Sequence, residues 1–242
     1  MKLALSNSLK QRGGAWTPAK FGSNLKMWLR KDTDILESDG SAAEDGEDIT
    51  KWSDQSGSGN NMLAANNYFD YDSATGGVES GDGSNSKLYL ATDGTKNLTF
   101  TAGFSLYVRF ALSTVTSGAT DLFVYDSDAP TLDFLRLQST TELRSKLNGS
   151  GKIGWSYTNP TLDSFNNWGY ERDGSNNLTT YLNNSSLTRL TSGTFVTGAV
   201  SGDFVLDAIG GSFDGIILEV VWVDRGLTAA ERTSLNTYLT NI

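Results

Sequence analysis

Cysteine and histidine are both missing from this 242-residue chain. Without cysteine there is no disulfide framework, no thiol nucleophile and no haem attachment, and without either residue there is no Cys/His zinc site. Without histidine, the Ser-His-Asp and Cys-His-Asn arrangements lose their proton shuttle. Proline is scarce, at 3 residues, and no apolar run approaches the roughly 18 residues of a membrane span. Membrane insertion is therefore not expected. Simple secretion is disfavoured too. Lys2-Leu3-Ala4-Leu5 starts like a signal peptide, but Ser6-Asn7-Ser8 ends the apolar stretch.

What is abundant points to β structure. Gly, Ser, Thr and Asn make up about two residues in five, a turn-rich composition unlike that of a helix bundle. Clean period-2 alternation runs through Phe104, Leu106, Val108, Phe110 and Leu112. Trp168, Tyr170 and Arg172 lead through an Asp173-Gly174 turn to Leu178–Leu182, a hairpin with a longer loop. Residues 204–209 read as one strand. Ile216–Val223 is apolar on both faces except at Glu219, which predicts a central strand covered on both sides, with Glu219 paired to an arginine or a backbone group. One helix is expected, at the C-terminal end. Thr228-Ala229-Ala230-Glu231 is a capping box, and Leu235, Tyr238, Leu239 and Ile242 recur at helical spacing. The expected class is all-β: an antiparallel sandwich of jelly-roll type with a short C-terminal α-helix and an extended N-terminal arm.

Charge divides the chain. Residues 1–31 carry Lys2, Lys10, Arg12, Lys20, Lys26, Arg30 and Lys31 and no acid, a charge of +7; the rest carries −16 of the net −9. Gly13-Gly14 reads as a hinge and Trp16-Thr17-Pro18 as an extended anchor. Residues 1–21 are thus expected to be a docking arm. Its contacts would be Lys10, Arg12, Trp16, Lys20 and Phe21. Nucleic acid is not the expected partner, because the basic residues are sparse and the acidic body repels phosphate.

Several segments together resemble the concanavalin A-like, laminin-G-like jelly rolls. Leu25-Lys26-Met27-Trp28-Leu29 and Trp52-Ser53-Asp54-Gln55-Ser56-Gly57-Ser58-Gly59-Asn60-Asn61 are similar to the family's opening. Trp168-Gly169-Tyr170-Glu171-Arg172-Asp173-Gly174 is similar to its central hairpin. Phe213-Asp214-Gly215 through Glu219-Val220, followed by Arg225-Gly226-Leu227-Thr228 and Glu231-Arg232, is similar to its close. The resemblance covers residues 22–242. Residues 1–21 are similar to short leaders on laminin-G-like proteins of tailed bacteriophages. It implies a virion structural protein, a capsid decoration or short fibre, assembled in the host cytoplasm. The jelly roll would stand on the virion surface, with residues 1–21 docked to a capsid or tail protein. Homo-oligomerisation stays open.

Catalysis is not expected. Related glycoside hydrolases carry E-x-D-x-x-E on one strand, which alternation places on one face. Glu219-Val220-Val221-Trp222-Val223-Asp224 lacks it. Ser23-Asn24-Leu25-Lys26 has Ser-Lys spacing but does not open a helix. No cofactor is expected. Asp54-x-Ser56-x-Ser58-Gly59 starts like a calcium loop but reaches Ala65 where a glutamate is required. A structural Ca²⁺ stays open, with no metal site assigned. The alternative function is a carbohydrate-binding adhesin for host-surface glycans. Its candidate platforms are Asn67, Tyr68 and Tyr71 in one loop, and Trp155 with Tyr157 in another.

Overall fold

Two nine-residue strands, Phe104–Leu112 and Gly215–Val223, pair antiparallel at the centre of the structure. The computed structural model describes residues 15–64, 69–80, 86–90, 98–114, 120–124, 134–146, 151–158, 161–200, 204–206, 208–211 and 213–242. The first sheet has eight strands. It runs from Ser185–Ser186 through Leu178–Leu182, Asn166–Arg172, Phe104–Leu112, Gly215–Val223 and Gly77–Ser80 to Phe69–Asp72. The strand Leu25–Leu29 pairs with the second half of Gly215–Val223. The second sheet has ten shorter strands, from Thr188–Arg189 at one edge to Ile35–Leu36 at the other. All described pairings are antiparallel, so the chain is the all-β sandwich that its alternation predicts.

The interior is built on aromatic rings. Trp222 points inward from the central strand and stacks on Phe100 at 4.2 Å and on Phe204 at 5.7 Å. Trp52, Trp155 and Trp168 are also fully buried. Gly215 opens the central strand with φ +146°, and a Cβ there would stand 2.1 Å from the Ala111 carbonyl oxygen. Only glycine lets the two long strands approach this closely.

Three motifs quoted from the sequence prove to be internal braces. The Asp54 carboxylate accepts from the amides of Trp28, Ser56 and Asn60 and from the Ser56 hydroxyl, at 2.7–2.9 Å. This ties the 54–60 loop to the strand Leu25–Leu29. Arg172, fully buried, donates to the carbonyls of Phe100 and Ala102 at 2.7 Å. Asp173 closes the hairpin by accepting from the amides of Ser175 and Asn177.

The outer face of the central strand is covered by the helix Ala229–Thr240. Its capping box forms in full between Thr228 and Glu231. Leu235 and Leu239 pack with Val221, Val223 and Tyr107 in a second apolar cluster. Polar contacts fix the helix on the sheet: Arg232 pairs with the buried Glu171 at 2.8 Å, and Asn167 donates to Asn236 and Thr240.

Two expectations change. Residues 204–209 are not one strand: Phe204–Leu206 pairs with Leu98–Phe100, whereas Ala208–Gly211 joins the ten-stranded sheet. An apolar run cannot reveal that its two halves serve different partners. Phe21 is not an exposed anchor. Pro18–Asn24 forms a 3-10 helix that buries Pro18 and Phe21, with Phe21 only 5% exposed in the cluster beneath the C-terminal helix.

Replacing Asp54 strips several donors at once. Asp54→Ala is expected to lower the unfolding free energy by about 2–4 kcal/mol, since hydrogen bonds to charged groups and stranded donors each cost about 1–3. A urea titration read by tryptophan fluorescence measures this.

Candidate functional site

The residues singled out from the sequence are not gathered in one place. Lys10, Arg12, Asn67 and Tyr68 lie outside the described residues. Trp155 is no sugar platform: it is 1% exposed and meets Tyr170 edge-on at 5.7 Å inside the core. Tyr157 is also buried, and its hydroxyl donates to the Ser139 carbonyl at 2.7 Å. Alternation does not show which face of a strand turns inward, and here the aromatic face does. Lys20 is exposed.

Tyr71 lies on the edge strand Phe69–Asp72, half-buried, and donates to Asp32 at 2.8 Å. Burial, then the hydrogen bond and charge of Asp32, push its phenol up to about 12. Around it the acids lock loops. Asp39 accepts from the Ser41 amide and Asp45 from the Ser73 amide, which holds both carboxyls below their ordinary value. Among the described residues, no group of three or more acids is arranged to hold a metal ion.

A largely apolar recess lies elsewhere. A cavity of about 530 Å³ opens between residues 15–17 and the C-terminal helix. Trp16 forms one wall, set edge-to-face with Tyr238 at 6.1 Å and with Phe21 at 5.4 Å. Arg30, Thr237, Asn241 and Ile242 complete the lining. Trp16 was read from the sequence as a docking contact; Tyr238 was read only as a helix packing position. Residues from opposite ends of the chain meet here because the strand Leu25–Leu29 and the helix both lie against the central strand.

Glu219 sits beneath this wall, fully buried. It does not pair with an arginine or backbone group as its sequence context suggests. It accepts from the indole of Trp28 at 2.5 Å, and Tyr238 faces it from the helix. Its second carboxylate oxygen has no hydrogen-bond partner among the described residues. Burial pushes its carboxyl up to about 7, against the opposing pull of Tyr238, Trp28, Arg30 and Lys31. Burial, and then the charge of Glu219, push the Tyr238 phenol up in turn.

Comparison with known proteins identifies the architecture. No protein-family model matches the chain, and no curated protein does. Solved structures do. Trypanosoma rangeli sialidase in complex with sialic acid superposes with a TM-score of 0.58 at 14% identity, over 88% of this chain and 32% of that one. The binding domain of Paraclostridial Mosquitocidal Protein 1 gives 0.56 at 12%, over 91% and 53%. The binding domain of Botulinum Neurotoxin DC in complex with SialylT gives 0.54 at 11%, over 91% and 52%. The chain therefore spans about a third of the sialidase and about half of each toxin chain. At these identities the likeness is one of fold, and it is the concanavalin-like β-sandwich. None of the three is a virion protein.

One expectation is overturned. Enzymes are among the proteins that share this fold, so the exclusion of catalysis does not stand. A missing E-x-D-x-x-E strand removes one arrangement of carboxylates only. Acids from separate strands can also meet, as Asp48 and Asp70 do across a bridge, where burial and then Asp48 raise Asp70.

Glu219 makes stability depend on pH. The unfolded carboxyl ionises near its ordinary 4.5, the folded one only near 7, so the folded chain binds the proton more tightly. Stability is expected to fall as pH rises from 4.5 through 7, by up to about 3 kcal/mol. Glu219→Gln, which can still accept from Trp28, should flatten this window and be the more stable protein at pH 8. Urea midpoints at pH 5 and pH 8 check both statements.

Proposed function

We propose that this chain is a carbohydrate-binding β-sandwich and that its site is the cavity between residues 15–17 and the C-terminal helix. The observation that carries the proposal is the pairing of two half-buried aromatic walls, Trp16 and Tyr238, with a rim of polar side chains. A sugar presents an apolar C–H face and a hydroxyl edge. A largely apolar recess with a few convergent polar groups is the matching surface. The volume suits a mono- or disaccharide. Support also comes from the fold neighbours, two of which are described in complex with sialic acid and with SialylT.

A second reading places the sandwich on a tailed-phage particle. The charge division favours it, +7 in residues 1–31 against −16 in the rest. Because Trp16 and Phe21 pack on the body, docking on this reading falls to residues 1–14, with Lys10 and Arg12. Deleting residues 1–14 should leave a folded sandwich that no longer joins the particle.

The carbohydrate reading is tested on a glycan array followed by calorimetry. The full chain is expected to bind a subset of glycans. Trp16→Ala should weaken that binding about tenfold or more, as removal of a central aromatic anchor does, while the thermal midpoint shows the sandwich intact. An array with no bound glycan refutes the proposal.

A further inference from the structure

We infer that the sugar held between Trp16 and Tyr238 carries a carboxylate, and that Arg30 is the residue that selects it. This rests on the carbohydrate-binding reading of the same cavity and names its ligand class.

The cations around the C-terminal helix are nearly all spent. Lys26 pairs with Asp224 at 3.0 Å, Arg225 with Glu231 at 2.6 Å and Arg232 with Glu171 at 2.8 Å. Arg30 differs. Its side chain is exposed at the cavity, and its guanidinium lies over the Trp28 ring at 5.6 Å. Among the described residues, no acid comes within ion-pair distance of it, and it donates no side-chain hydrogen bond. An arginine stacked on an indole keeps its in-plane N–H groups free, and that planar fork matches a carboxylate in two parallel bonds.

The surroundings favour an anion. Among the described residues, no aspartate or glutamate side chain lines the cavity. Glu219, beneath Tyr238, is the acid whose charge acts on Arg30, and burial pushes its carboxyl up to about 7, so that it is largely neutral in mildly acidic solution. One side of the cavity, with Trp16 and Arg30, is built by the segment of the chain that has bases and no acids.

The remaining lining favours a sugar over a free anion. Thr233 and Ser234 turn their hydroxyls back to the helix carbonyls of Ala229 and Ala230, at 2.9 Å each. Thr17, Thr237 and Asn241 have side-chain polar groups with no partner among the described residues, so they are available for ring hydroxyls. Phosphate or sulfate alone would leave Trp16 and Tyr238 without a surface to cover.

The test is calorimetry on the full chain with three probes: sialyllactose, its uncharged methyl ester, and a disaccharide containing glucuronic acid. The unmodified protein is expected to bind at least one of the two acidic probes, and about tenfold or more tighter than the ester, the scale of a charge-assisted hydrogen bond. Arg30→Gln should collapse that preference towards unity, and Arg30→Lys should recover part of it. Thermal midpoints confirm that both variants are folded. Acidic and neutral probes bound equally, or a preference that survives Arg30→Gln, would overturn the inference and leave carbohydrate binding standing. If neither acidic probe binds while neutral glycans on the array do, the inference is likewise refuted. If no glycan of either kind binds, both proposals fall.

Discussion

The strand Gly215–Val223 has no polar face, and that constraint organises the molecule. Ile217, Val220 and Trp222 face the second sheet, while Val221 and Val223 face outward. A two-layer sandwich covers only one side of such a strand. The outward side must be sealed by something else, and the C-terminal helix and residues 16–25 do so. Burying a side chain of this size is worth about 1.5–3 kcal/mol, so leaving the outer cluster open would remove much of a typical domain's net stability.

Covering that face creates a polar problem beneath the helix. Glu171 and Glu219 both project from the sheet into the space the helix closes. Glu171 is answered by Arg232 and Tyr107, an ion pair reinforced by a hydrogen bond. Glu219 is answered by one indole N–H and a phenol, with no cation within bonding distance among the described residues. The two acids therefore take opposite roles. One locks the helix in place, and the other is a site of strain that solvent pH can adjust.

Much of this was legible in the residues. The capping box and the two apolar faces of the central strand follow from local spacing, because each is written in consecutive residues. What stayed hidden depends on distant partners. Trp155 looked like a surface aromatic because period 2 does not say which face is inner. Residues 204–209 looked like one strand because apolar runs do not name their neighbours. Tyr238 looked like helix packing alone. Its meeting with Trp16 requires two segments more than two hundred positions apart to converge on one strand, and no local pattern encodes that.

This convergence has a consequence for biosynthesis. The cavity between Trp16 and Tyr238 takes one wall from the first tenth of the sequence and the other from its last few residues. A chain that stops short of residue 238 lacks one wall of the recess, however much of the two sheets it has built. Recognition through this cavity would then be acquired in a single late step, when the helix docks, and not gradually as strands are added.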